Sequence, residues 1–330
     1  MRILRPLLCL SLLIGCSDTT DSPAETGPAI DGGFETAPDG SGEAAPDSSA
    51  APQADAGDTG RLAPSIDAGV DPTPPAPSPD AVWSWSRGNA LEFDGRRRTY
   101  ALYAPSDGTP TGLVLILHGS GQTPAGMIAE LRPESLAEAN GFAVAVPAGV
   151  DDGWNDEDPP GNGLADDVGF IDALIAELKT RHAGLPADKI FAYGFSNGGG
   201  LATRLACESS EISGIGVIGN YYVSVGCPRA PGRPAIPGWF GAGLEDDLVP
   251  VAEVRRRMAD YVSDLTDCMP SGALEPVEVS GLGNGIVCKQ IAQCSLARLC
   301  EYDGREHEAL PDSLAESWAF LDAATPTLAD

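Results

Sequence analysis

The sequence predicts one α/β domain, a mostly parallel central sheet with helices on both faces, preceded by a disordered linker. Three observations lead there. Short continuous apolar runs, GLVLIL at 112–117 and FAVAV at 142–146, fit strands buried on both faces of a parallel sheet. Segments of helical spacing alternate with them, an order that places helices on both sides of such a sheet. The composition also breaks near residue 80. Residues 17–80 are almost entirely Asp, Ala, Pro, Gly, Ser and Thr, with Phe34 the only aromatic and Arg61 the only basic residue. Such a stretch cannot bury enough apolar surface to offset its ordering entropy. The folded domain is therefore expected over 81–330.

The N-terminus, MRILRPLLCLSLLIGCSD, joins two Arg to an apolar run too short to span a bilayer, the arrangement of a secretory signal over residues 1–15. LIGC at 13–16 resembles the bacterial lipobox, and that resemblance implies acylation of Cys16 after cleavage. Ser17 stands where an inner-membrane retention signal would place Asp. The expected product is an outer-membrane-anchored lipoprotein or secreted protein of a bacterial cell envelope, with residues 16–80 as its tether.

Residues 90–104, ALEFDGRRRTYALYA, alternate and turn at Asp94-Gly95, which predicts a β-hairpin. Helical spacing follows over 123–140. DVGFIDALIAELKTRH at 167–182 puts Val168, Ile171, Leu174, Ile175 and Leu178 on one face, with acid at its start and basic residues, then His182, at its end. A strand at 189–193 leads into a helix at 197–207. Further strands are expected at 215–218, 236–240, 274–279 and 297–302, and helices at 251–265 and 313–323.

The net charge of -28 is shared between tail and domain: residues 17–80 hold 13 acids and one Arg, and the chain beyond holds 35 acids against 17 bases. A field of that sign disfavours nucleic acid and anionic membrane surfaces as partners. It leaves contact with a membrane to the lipid anchor. Of eight cysteines, Cys207, Cys227, Cys268, Cys288, Cys294 and Cys300 lie in the domain. An even number in an exported chain suggests disulfides. They form no CxxC pair and have no His among them, so no metal site is expected.

The chemistry centres on FAYGFSNGGG at 191–200. A strand, Ser196 in a G-x-S-x-G turn and an immediate helix make the context of a nucleophile elbow. A serine hydroxyl needs a base, and the chain has three histidines. His118 precedes Gly119-Ser120-Gly121 in a loop like the HGxG loops that offer amides to an oxyanion, and His182 closes a helix. The α/β-hydrolase order runs Ser, acid, His. Only His307 lies downstream of Ser196. The acid is expected in GAGLEDDLVP at 241–250, where spacing does not choose among Glu245, Asp246 and Asp247.

From about Arg98 to the last helix the chain resembles the extracellular esterases grouped as polyhydroxybutyrate depolymerase-like and feruloyl or acetylxylan esterases, carbohydrate esterase family one. RTYALYAPS, LILHGSGQTPAGM, GWND, DVGFIDALI and YGFSNGG carry the similarity. The family's G-T-x-D-x-x-V-P loop places the acid on Asp246 and implies a Ser196–His307–Asp246 triad. The family further implies oxyanion amides on Ser120, Gly119 and Asn197. Trp154 and Asn155 are candidate walls of the substrate pocket, with a buried structural Trp as the alternative for Trp154. The implied reaction is hydrolysis of a carboxylic ester through an acyl-enzyme, without a cofactor. The implied substrate is an acylated polysaccharide or a hydroxyalkanoate oligomer.

The chain departs from the family pattern at three places. Glu308-Ala309-Leu310 follows His307 where the family has Thr-Trp-Pro, and Trp239-Phe240 replaces a His-containing strand. Cys288, Cys294 and Cys300 are more crowded than the family's single Cys. Matching to the family prefers a Cys268–Cys294 disulfide, then Cys207–Cys227. Two rival readings stand beside the esterase. A serine peptidase of the same fold would need an added propeller or lid. A non-catalytic surface-binding lipoprotein would have no need of all three triad residues.

Overall fold

The computed structural model describes residues 76–156, 164–224, 226–227, 232–269 and 272–325. The expected signal, Cys16 and nearly all of the 16–80 linker lie outside the described residues. The described chain forms a ten-stranded sheet. Its strands are β1 (Trp83–Phe93), β2 (Arg96–Pro105), β3 (Leu113–Leu117), β4 (Ala143–Pro147), β5 (Ile190–Phe195), β6 (Gly214–Ile218), β7 (Gly238–Gly243), β8 (Leu274–Pro276), β9 (Ile286–Ile291) and β10 (Ala297–Tyr302). They are ordered β1-β2-β4-β3-β5-β6-β7-β10-β9-β8. Pairing is parallel from β4 through β3, β5, β6 and β7 to β10. It is antiparallel at β1-β2-β4 and at β10-β9-β8.

The continuous apolar runs owe their character to burial on both faces. All five residues of β3 are buried. Leu113, Leu115 and Leu117 enter one core, whereas Val114 and Ile116 enter the other, as the two-residue period of a strand requires. The first core packs against α3 (Asp167–Arg181), α4 (Asn197–Glu208) and α5 (Val251–Leu265), through residues such as Phe170, Leu201 and Met258. The second packs against α1 (Pro124–Leu131) and α6 (Pro311–Ala324), through Met127, Leu314 and Trp318. The α3 stripe expected from sequence is buried in full, with Phe170 added.

Four elements differ from expectation. The helix expected over 123–140 is two, α1 and α2 (Glu134–Asn140). Arg132 takes φ 46° at the end of α1, and Pro133, which has no N–H to donate, stands between them. The N-terminal hairpin starts already at Trp83, the register shifting between Ser86 and Asn89 where Gly88 takes φ 77°. β9 was not expected, and the strand expected at 274–279 ends at Pro276. His182 caps α3, where burial first and Arg181 second push its pKa down.

The six domain cysteines form Cys207–Cys227, Cys268–Cys294 and Cys288–Cys300. The unexpected strand explains the third pair, since Cys288 on β9 lies directly opposite Cys300 on β10. Cys268–Cys294 ties the segment after α5 to the β9–β10 turn across 26 residues. Closing a loop of that length constrains the unfolded chain by about 3–4 kcal/mol. Cys268→Ser with Cys294→Ser is therefore expected to lower Tm by about 10 °C in calorimetry without reductant. An unchanged Tm would mean that the bond adds nothing to what packing already fixes.

Candidate active site

Ser196 occupies the turn between β5 and α4 with φ 51° and ψ -121°, a region that a residue with a Cβ adopts only when its surroundings enforce it. They do so from both sides. The Ser196 N–H donates to the Ile218 carbonyl at 3.0 Å. The Ser196 carbonyl accepts from Asn220 Nδ2 at 2.7 Å and from the Gly200 amide at 3.1 Å. The two motif glycines follow from backbone contact. A Cβ on Gly194 would sit 2.1 Å from the Gly198 carbonyl oxygen, and one on Gly198 would sit 2.3 Å from that of Leu117. Gly198→Ala should therefore destabilise the fold by at least about 3 kcal/mol, read as a shift in urea midpoint. A midpoint within error of the parent would show that the turn relaxes freely.

The parallel strands deliver the remaining groups to the same edge. His307 follows β10, and its Nε2 lies 2.9 Å from Ser196 Oγ. Its Nδ1 lies 2.8 Å from Asp246 Oδ2. A carboxylate only accepts, so Nδ1 carries the proton and Nε2 turns its lone pair to the serine hydroxyl. Asp246 sits in the loop after β7 with its side chain 1% exposed. Its other oxygen, Oδ1, accepts from the Leu248 and Val249 amides at 2.9 and 2.7 Å. Glu245 and Asp247 point their exposure to solvent instead. The close approach of these loops explains Gly243, where a Cβ would meet the Arg305 and Glu306 carbonyl oxygens at 2.4 and 2.6 Å.

Among the described residues, the amides of Ser120 and Asn197 make no hydrogen bond within the protein. Asn197 is the first residue of α4, where unpaired N–H groups and the helix dipole favour an anion. Gly119 departs from its expected role. Its amide donates to Gln122 Oε1 at 2.8 Å and so has no hydrogen left for an oxyanion. Ser120, Asn197, Trp154 and Asn155 all line one cleft of about 420 Å³.

No family model matches the chain. Feruloyl esterase C of Emericella nidulans is 30% identical over 197 residues, covering 57% of this chain and 67% of that protein. NocK of Nocardia uniformis subsp. tsuyamanensis, a protein assigned to the esterases, is 36% identical over 152 residues. The match spans 43% of its length and 43% of this chain. An acetyl xylan esterase structure from Aspergillus awamori superposes with a TM-score of 0.54 over 72% of this chain and 99% of that one, at 15% identity. The chain belongs to the feruloyl esterase-like family, and its fold is that of the α/β-hydrolases. In this esterase-like member the sheet is extended by the β8–β9 hairpin beyond β10.

The parts of the site that sequence reading missed are its supports. Trp154 is buried. Its backbone N–H and carbonyl clasp the Asn197 side chain at 2.7 and 3.0 Å, and its ring N–H donates to the His118 carbonyl at 2.9 Å. His118 is itself buried, accepting from the Gly149 amide at 3.0 Å and facing the Gly119 carbonyl at 2.9 Å. Burial pushes its pKa down, so it braces the loop as a neutral ring. Asn155 is fixed by its amide to Asp167 Oδ2 at 2.7 Å. Asp167 is in turn paired with buried Arg98 at 2.6 Å. This buried pair, which links β2, the 153–156 loop and the start of α3, accounts for the acid that opens the DVGFIDALI segment. Among the described residues no cluster suits a metal ion, and no helix is long and apolar enough to cross a membrane.

Proposed function

We propose that this chain is a serine esterase that hydrolyses carboxylic esters through an acyl-enzyme. The single observation that carries the reading is the unbroken line from Asp246 Oδ2 through both His307 nitrogens to Ser196 Oγ, at 2.8 and 2.9 Å. His307 Nε2 takes the Ser196 proton as Oγ attacks the ester carbonyl. Asp246 holds Nδ1–H and stabilises the imidazolium that forms. The tetrahedral oxyanion takes the amides of Ser120 and Asn197, one such donor being worth about 3–4 kcal/mol of barrier. The imidazolium then returns its proton to the leaving alkoxide. Water repeats the sequence on the acyl-enzyme, with His307 again the base.

The names of the relatives support an aromatic or acetyl ester of a polysaccharide as the substrate class. Three disulfides fit an oxidising compartment, and a lipid anchor at Cys16 would hold the domain at the cell envelope. The test is turnover of methyl ferulate, 4-nitrophenyl acetate and 4-nitrophenyl butyrate by the secreted protein. Hydrolysis led by ferulate or acetate supports the polysaccharide-ester reading. A preference for butyrate points to hydroxyalkanoates, and absence of turnover with all three overturns the proposal.

A further inference from the structure

A second cavity, about 350 Å³, lies away from the triad. It falls within the roughly 300–1,000 Å³ range of small-molecule sites. Its wall is largely apolar, with Trp239, Leu282, Ala319 and Phe320 among the lining residues, together with Arg298 and Glu316. Arg298 is the second residue of β10, four positions before Tyr302, where the strand ends on its way to His307. At about 3.3 Å per residue that is roughly 13 Å of strand. The cavity shares no lining residue with the cleft beside Ser196.

Arg298 differs from the arginines that are held by acids. Arg98, Arg204 and Arg255 each meet a carboxylate at 2.6 or 2.7 Å. Among the described residues Arg298 meets none, although acids outnumber bases 48 to 20 in this chain. Its Nε is enclosed without an acceptor, and Nη2 reaches only the neutral Gln290 amide oxygen at 3.4 Å. The guanidinium lies over the Phe320 ring at 4.6 Å. Glu316, the one carboxylate in the wall, accepts from the Tyr302 hydroxyl. Its pKa is raised by burial, a shift that this hydrogen bond opposes. Burial alone pushes the Arg298 pKa down, as expected of a charge with no counter-ion beside it.

We infer that this cavity binds a small monocarboxylate with an apolar body, its carboxylate on the Arg298 guanidinium and its body against Trp239 and Phe320. Guanidinium and carboxylate match in fork geometry. The pairing supplies the missing counter-ion, and the apolar part fills a space lined with side chains of its own kind. Acids of this description are what hydrolysis of an aromatic or short-chain ester releases. If the proposed function holds, the site would therefore sense product, but binding to it does not require the triad to act.

The probe is benzoate, with benzamide as its neutral counterpart, followed by calorimetric titration of protein whose Ser196 has been sulfonylated. Blocking the serine removes binding at the catalytic cleft from the readout. The expected result is benzoate binding at least tenfold tighter than benzamide, lost by at least tenfold in Arg298→Gln. Ala319→Phe, which fills the cavity and leaves the cation in place, should lose binding as well and stands in if Arg298→Gln does not fold. Equal affinity for benzoate and benzamide, no benzoate binding by the parent, or undiminished binding in the folded variants would overturn the inference. Mass spectrometry reads sulfonylation of Ser196 separately from binding, and protein that does not react is titrated unblocked, so failure of the inference is separable from failure of the esterase reading.

Discussion

Ser196→Ala is expected to lower kcat for an activated ester by about 10⁴- to 10⁶-fold while leaving Tm within about 2 °C of the parent. The first expectation follows from the atom removed. Oγ is the group that would bond to the acyl carbon, and His307 Nε2 has no other described proton donor at its 2.9 Å distance. The residual rate would come from the oxyanion amides and from substrate positioning alone. The second follows from what remains. The strain at φ 51° belongs to the backbone and is held by Ile218 and Asn220, so Ala inherits it unchanged. Steady-state kinetics, together with loss of fluorophosphonate labelling, measures the effect. Retention of more than a tenth of the parent kcat would move the nucleophile elsewhere.

How much of this site was legible in the sequence depended on the range of the contacts. The elbow was legible because its strand, turn and helix are contiguous in the chain. Gly194 collides with backbone of the same turn, and although Gly198 meets the Leu117 carbonyl of distant β3, both glycines belong to a motif that is read in five or six residues. Elimination picked out His307 because only one histidine follows Ser196. The choice of Asp246 over its two neighbours rested on family resemblance. Its physical reason is a turn in which Leu248 and Val249 amides point back at one oxygen, and residue spacing does not encode that. The supports were not legible. Arg98 and Asp167 are 69 residues apart, and nothing in either neighbourhood announces a buried pair. The contact that occupies the Gly119 amide was not legible either, because its acceptor, Gln122, is an ordinary polar residue whose side chain could have turned to solvent. The α1–α2 break could have been read from Pro133, since the helical spacing on either side hid a residue that cannot continue a helix. β9 is mixed in polarity, with only Cys288 and Ile291 buried, and so it lacks the apolar run that announced the central strands.

Asp246→Asn should reduce kcat by about 10⁴-fold with little change in KM, although it preserves nearly every atom of the site. Oδ1 is already committed to two backbone amides, so the substituted side chain must keep its carbonyl oxygen there. Its NH₂ then faces His307 Nδ1. A donor in that position forces Nδ1 to become the acceptor and sends the ring proton to Nε2. The Ser196 hydroxyl then meets an N–H and has no base to receive its proton. The loop is expected to stay folded, because its two amide contacts survive, and this separates the electronic effect from a structural one. Asp246→Ala removes those contacts too and should lose stability as well as rate. A further discriminator is non-additivity: once Ser196 is Ala, adding Asp246→Asn should cost no more than about a further threefold, since both changes disable one proton transfer. Single-turnover kinetics with 4-nitrophenyl acetate reads both variants. A loss below tenfold in Asp246→Asn would mean that the carboxylate serves only to shape the loop and that His307 finds its tautomer by other means.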